Sequence, residues 1–90
     1  MAIAVVLTWT GPDATAARYL ELVAGAGITP EGEHPDPECL FHWATEIPQG
    51  FRVTDVWTSR AAWDAFEAGG LPAQLGRPHK DFFDVVNFLT

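Results

Sequence analysis

The sequence predicts one α+β, ferredoxin-like domain over residues 1–90, of element order β-α-β-β-α-β. Its four strands are expected to form an antiparallel sheet in spatial order 4-1-3-2, with both helices on one face. Three observations predict this. An apolar, β-branched run opens the chain and a second apolar run, DFFDVVNFL, lies near its end. Between them, two amphipathic stretches with helix start and stop signals flank a central hairpin, CLFHWATEIPQGFRVTDVW. The joints are marked by Gly, Pro and acidic residues, with no internal repeat and no low-complexity tract.

Residues 2–10 read as a central strand buried on both faces. Gly11-Pro12-Asp13 stops it and opens a helix, with Asp13 placed for capping or for the helix dipole. That helix is expected to run to about residue 26, with Ala16, Leu20, Val23 and Ala24 as its apolar stripe and Gly25 and Gly27 fraying its end. Residues 28–38, ITPEGEHPDPE, form a long loop dense in Pro, Gly and acids.

In the hairpin, Ile47 and Phe51 bracket Pro48-Gln49-Gly50, a three-residue connection with Gly50 in the left-handed position. This register sets Trp43 opposite Asp55, Phe41 opposite Trp57, and Glu46 opposite Arg52 as a cross-strand ion pair. Alternation then gives one face Phe41, Trp43, Thr45, Val53, Asp55 and Trp57. The other face receives Leu40, His42, Ala44, Glu46, Arg52, Thr54 and Val56. After the hairpin, Ser59 caps a second helix whose buried side is Ala62, Trp63 and Phe66. Gly69-Gly70 ends it, residues 71–75 add one short turn, and residues 81–89 form the last strand.

Ninety residues bury only about 60–65% of the surface of the unfolded chain, so the core is thin. A sheet covered on one face leaves the other bare, and a face-to-face homodimer is the expected remedy. Five basic against twelve acidic residues give a net charge of −7, which repels phosphate backbones and anionic membranes and argues against nucleic-acid binding. The single cysteine, Cys39, allows no internal disulfide and suits a reducing compartment. The apolar run at residues 2–7 is too short for a membrane span and lacks the features of a signal peptide. A soluble, cytoplasmic protein is expected.

The run Asp55-Val56-Trp57-Thr58-Ser59-Arg60-Ala61-Ala62-Trp63-Asp64-Ala65-Phe66 resembles the dimeric α/β-barrel superfamily, and within it the small proteins similar to antibiotic-biosynthesis monooxygenases. The likeness in element order covers nearly the whole chain, while the sequence motif is confined to roughly residues 40–66. The resemblance implies two sheets facing each other in a homodimer and a small-molecule site between each sheet and its own helices. It also implies cofactor-free oxygenation of an aromatic or polyketide-like substrate, with no cofactor. Trp57 matches the tryptophan that ends the third strand in several such proteins and lines their pocket; a tryptophan packed on Trp63 or Phe66 explains it equally well. Haem-degrading relatives carry an asparagine on the first strand and a histidine late in the second helical region. Here the first strand reads AIAVVLTWT and residues 71–75 contain no histidine.

Two residues carry the chemistry expected of such a site. Asp55, among aromatic neighbours, loses hydration and is a candidate general base; the structural alternative is a carboxylate accepting hydrogen bonds from a neighbouring strand, a Trp N–H or Arg52. His42 is a candidate proton shuttle or ligand-orienting group, or else a satisfied histidine at a subunit interface. Phe41, Trp43 and Trp57 would hold a flat substrate, with Tyr19, Trp63 and Trp9 as further candidate liners and Asn87 or Arg52 as oxyanion donors. His34 and His79 fall in loops and are read as surface residues. His34 with Glu31, Glu33, Asp36 and Glu38 lacks the spacing of a metal site and reads as a solvated acidic loop, with a lid over the pocket as the other possibility. Cys39 has no cationic neighbour in sequence and reads as an inert thiol. An oxygen-independent cyclase or isomerase needs the same base and pocket, and a non-enzymatic small-molecule binding protein needs only the pocket.

Overall fold

A computed structural model describes residues 1–28, 32, 34–70 and 76–88. The strands are β1 (Ile3–Thr10), β2 (Cys39–Ile47), β3 (Gly50–Trp57) and β4 (His79–Asp84), and the helices are α1 (Ala16–Ala24) and α2 (Arg60–Glu67). The element order is the expected one. All three strand pairings are antiparallel and the sheet runs β2-β3-β1-β4, which is the expected 4-1-3-2 order read from its other edge.

Strict alternation along β1 sends Ile3, Val5, Leu7 and Trp9 to the helix-covered face, where all four are buried. Ala4, Val6 and Thr8 face the other way and are half-buried, so β1 is fully buried on one face rather than both. On the covered face, Trp57 and Trp63 have no exposed surface and meet edge to face with ring centroids 5.8 Å apart. Tyr19 of α1 packs on Phe51 of β3 at 4.7 Å. These aromatic contacts seat each helix on the middle of the sheet.

The helix ends follow local chemistry. The Thr15 hydroxyl accepts from the Arg18 amide at 3.2 Å and the Ser59 hydroxyl accepts from the Ala62 amide at 3.1 Å, so each satisfies one amide of an open first turn. Helix α1 therefore starts at Ala16, three residues after Asp13, and Thr15 rather than Asp13 is its cap. At its far end Gly27 takes a φ of 84°, a conformation that suits glycine, and the Ile28 amide donates to the Val23 carbonyl at 3.0 Å. The expected turn at 71–75 lies outside the described residues.

The hairpin register corrects the expectation by one residue. Ile47 pairs with Gly50, so the connection is the two-residue Pro48-Gln49. Glu46 then faces Phe51, Thr45 faces Arg52, Trp43 faces Thr54, and His42 faces Asp55; a bulge at Leu40 brings Cys39 opposite Trp57. Because side chains alternate, the slip turns the whole of β2 over. His42, Ala44 and Glu46 share the covered face with Val53, Asp55 and Trp57, while Phe41, Trp43 and Thr45 lie on the open face with Arg52, Thr54 and Val56. The expected Glu46–Arg52 ion pair does not form. Glu46 instead accepts from the Ala16 amide at 2.9 Å, pinning the start of α1 to β2, and Arg52 donates to the Thr8 hydroxyl at 3.2 Å.

Gly50 has a different reason from the one expected. Its φ is not in the left-handed region. A Cβ placed on it would stand 2.1 Å from the Trp9 carbonyl oxygen and 2.9 Å from Thr10 Cα, so glycine is required for the close approach of β3 to β1.

The last strand ends at Asp84, earlier than expected. Beyond it the Val85 amide donates to the Ala2 carbonyl at 3.0 Å, and the chain carries Phe88 to within 6.1 Å of Phe41 on the far edge strand. The open face still shows large apolar side chains: Phe41 is 45% exposed, Trp43 49% and Phe83 56%.

Candidate functional site

The register that turns His42 inward also builds a hydrogen-bonded chain of three side chains. Asp55, 3% exposed, is held from two sides. Its Oδ2 accepts from Trp57 Nε1 at 3.1 Å and its Oδ1 lies 2.5 Å from His42 Nδ1. An ionised carboxylate only accepts, so the network assigns the proton to Nδ1 and leaves Nε2 with its lone pair. Nε2 in turn lies 2.6 Å from the Tyr19 hydroxyl, which donates to it. Burial, reinforced by the negative charge of Asp55, pushes the Tyr19 phenol well above its usual range, so Tyr19 is a neutral donor and not a standing phenolate.

The chain opens on a cleft of about 940 Å³ between α1, the end of the long loop and β2. Ala16, Tyr19 and Leu20 form its helix wall, His42 and Ala44 its strand wall, and His34 part of its loop wall. A separate small void of about 30 Å³ shares Tyr19, His34 and His42 with the cleft and is otherwise lined by Asp55 and apolar side chains such as Leu7 and Phe66. That is room for one water.

His34, read from the sequence as a surface residue, is half-buried in this site. Its ring centroid lies 5.7 Å from His42, 5.5 Å from Trp57 and 5.3 Å from Phe66. The Asp36 amide donates to His34 Nδ1 at 3.0 Å, which places the proton on Nε2. Burial, opposed by the attraction of Asp55, lowers the His34 pKa and favours its neutral form. The loop end that carries it is tied down: the Glu38 amide donates to Asp36 Oδ1 at 3.0 Å, and the Thr58 amide donates to the Glu38 carbonyl at 2.9 Å. Only the pattern Asp-Pro-Glu, whose aspartate can build such a turn, hinted at this order in the sequence.

The other expected site residues fall in different places. Trp57 touches Asp55 through its indole N–H but has no exposed surface, and Trp63 is equally enclosed; both belong to the core. Phe41 and Trp43 border the cleft along the β2 edge, yet their side chains belong to the open face. Asn87 is exposed on the segment after β4, Arg52 is on the open face, and Trp9 is buried with its indole N–H on the Gly76 carbonyl at 2.9 Å. His79 is exposed and lies 3.2 Å from Asp81. Cys39 donates to the Phe41 carbonyl at 3.4 Å, and burial first, then the charge of Asp55, pushes its thiol up to about 12. Among the described residues no His, Cys, Asp and Glu side chains group as a metal site would require, and no helix is long and apolar enough to cross a membrane.

No protein-family model and no curated protein matches the chain. Solved structures do. A protein assigned as an antibiotic biosynthesis monooxygenase from Chloroflexus aurantiacus J-10-fl superposes with a TM-score of 0.64 at 16% identity, over 100% of this chain and 98% of that one. A monooxygenase of the gene ActVA-Orf6 of Streptomyces coelicolor, solved in complex with nanaomycin D, gives 0.56 at 20% identity, over 99% and 90%. SnoaB of Streptomyces nogalater, a cofactor-independent oxygenase, gives 0.50 at 19% identity, over 98% and 94%. The chain therefore has the ferredoxin-like fold of the antibiotic biosynthesis monooxygenase structures, as its element order and its Asp55–Phe66 motif led one to expect.

Proposed function

We propose that this protein is a cofactor-independent monooxygenase acting on a hydroxylated aromatic, polyketide-like substrate bound in the cleft beside His42. The observation that carries the reading is the Asp55–His42–Tyr19 chain: a buried carboxylate fixes the imidazole tautomer, and His42 and Tyr19, whose hydroxyl occupies the Nε2 lone pair, both line a cavity of substrate size. The likeness to oxygenase structures supports the class at the level of fold.

In this reading the Tyr19 hydroxyl turns from Nε2 to the substrate oxygen, and Nε2 takes an acidic proton from a phenol or from the CH₂ of an anthrone. Asp55 stabilises the imidazolium formed. The substrate anion passes one electron to dioxygen, the radical pair combines to a peroxide anion that the imidazolium protonates to the hydroperoxide, and loss of the remaining C–H proton with hydroxide, together one water, leaves a carbonyl. The balance is R₂CH₂ + O₂ → R₂C=O + H₂O. The apolar walls from α1 limit water around the anion, and the Tyr19 donor stabilises its oxygen.

The exposed Phe41, Trp43 and Phe83 support a homodimer paired through the open sheet faces. Free Cys39 suits a cytoplasmic setting.

Oxygen uptake with a panel of hydroxyanthrones and hydroxynaphthalenes tests the reading. Consumption of one O₂ per substrate, absent under nitrogen, is expected. Equal conversion under nitrogen would instead make the protein a cyclase or isomerase, and no conversion with any member would leave it a binding protein.

A further inference from the structure

We infer that the cleft selects uncharged ligands, taking hydroxyarenes that carry an ester, lactone or amide and rejecting the corresponding free carboxylates. The inference rests on the reading of this cleft as an aromatic-substrate site, and it is drawn from where the chain keeps its positive charge. There are five Lys and Arg residues in the sequence, and none of them lines the cleft. Arg18 is on the exposed side of α1, 3.9 Å from Glu21. Arg52 is on the open face of the sheet against Thr8. Arg60 pairs with Asp64 at 3.0 Å and covers the Phe82 ring, and Lys80 pairs with Glu67 at 2.6 Å. Arg77 is exposed beside Gly76, at the approach to β4.

The charges that do face the cleft are acidic. Asp36 and Glu46 line it, and Asp55 lies directly behind His42. Of the two imidazoles at the cleft, His42 already has a carboxylate, Asp55, against it, and burial favours the neutral form of His34. A carboxylate entering here would lose hydration, meet three anionic groups and find no cation to replace its water. A phenol or ester carbonyl brings no charge for these carboxylates to repel, and the Tyr19 hydroxyl and the His34 Nε2–H are donors on the lining residues that it can use.

The test is a matched pair of ligands, methyl 1,4-dihydroxy-2-naphthoate and 1,4-dihydroxy-2-naphthoate, titrated under nitrogen at pH 8 with calorimetry on the full chain. The ester is expected to bind about tenfold or more tighter than the acid. Leu20→Lys, which places a cation on the half-exposed helix wall, is expected to raise the affinity for the acid relative to that for the ester several-fold. Equal or tighter binding of the acid to the wild-type chain would overturn the selectivity while leaving the aromatic site standing. Failure of both ligands to bind would overturn the aromatic site and the selectivity with it. Tighter binding of the ester by a chain that shows no oxygen uptake with the hydroxyarene panel in air would uphold the selectivity and remove only the oxygenation.

Discussion

His42 and Asp55 are direct cross-strand partners, and their side chains meet on the helix-covered face with Nδ1 2.5 Å from Oδ1. The pair exists because the hairpin turns through two residues; a turn of three would put His42 on the open face, away from α1 and Tyr19. The site is thus a product of strand register. Its members come from β2, β3 and α1, which the fold, not the sequence order, brings together.

Asp55→Asn tests the role of the carboxylate. An amide can present an N–H to Nδ1, which would move the imidazole proton to Nε2 and remove the lone pair from the cleft. A fall in kcat/KM of about 10²–10⁴ is expected, by analogy with the loss of tautomer control in other histidine-dependent sites. Urea denaturation should show a cost of about 1–3 kcal/mol, since the buried group keeps its shape but loses a charge-assisted bond. Unchanged turnover in a folded variant would take Asp55 out of the mechanism.

A pH dependence of stability follows from His34. Its pKa is lower in the folded chain than in the unfolded one, so between the two values the unfolded chain binds more protons. The stabilisation is present above about pH 6.5 and is lost as the pH falls through the folded value. Comparing urea midpoints at pH 7.5 and pH 5, the wild-type chain should lose more stability than His34→Gln. Parallel losses in the two proteins would show that His34 titrates as it does in water.

Gly50→Ala should destabilise the protein by about 2–4 kcal/mol, because the added methyl collides with the backbone of Trp9 and Thr10 and no flexible side chain can yield. Thermal denaturation checks this. A cost below about 1 kcal/mol, the ordinary Gly-to-Ala range, would show that β1 and β3 can separate at this point without loss.

Trp43→Glu probes the open face. Trp43 contributes little to the core of its own protomer, so the variant should keep its thermal midpoint within a few degrees of the wild-type monomer's and retain a cooperative transition. Sedimentation equilibrium should show it monomeric at concentrations where the wild-type chain is dimeric. A wild-type chain that sediments as a monomer would contradict the proposed pairing.

The sequence and the structure agree where local chemistry decides the outcome. The hydroxyl of Ser59, the glycine pair after α2 and the alternation of Ile3, Val5, Leu7 and Trp9 each act within a few residues, and element order and sheet order follow from them. They part where one local cue admits two geometries. Pro48-Gln49-Gly50 reads as a three-residue turn because glycine is the usual left-handed residue; the glycine is in fact required by β1, which sequence proximity does not reveal. That one-residue difference reversed the faces of β2, so Trp43 and Phe41 were expected beside Asp55 and His42 apart from it. His34 was illegible for another reason: its partners, Trp57, Phe66 and His42, lie on three other segments. Trp57 was open between pocket and core in the sequence, and its complete burial places it in the core.

The most direct test of the central claim is kcat/KM for oxygen-dependent turnover by wild-type protein and His42→Gln, measured with the best substrate of the hydroxyarene panel. Glutamine can accept from Tyr19 and can hydrogen-bond Asp55 but cannot take a proton. The expected result is a loss of about 10³-fold or more, with circular dichroism unchanged. Turnover by folded His42→Gln within about threefold of the wild-type rate would contradict the claim that the imidazole between Asp55 and Tyr19 is the base.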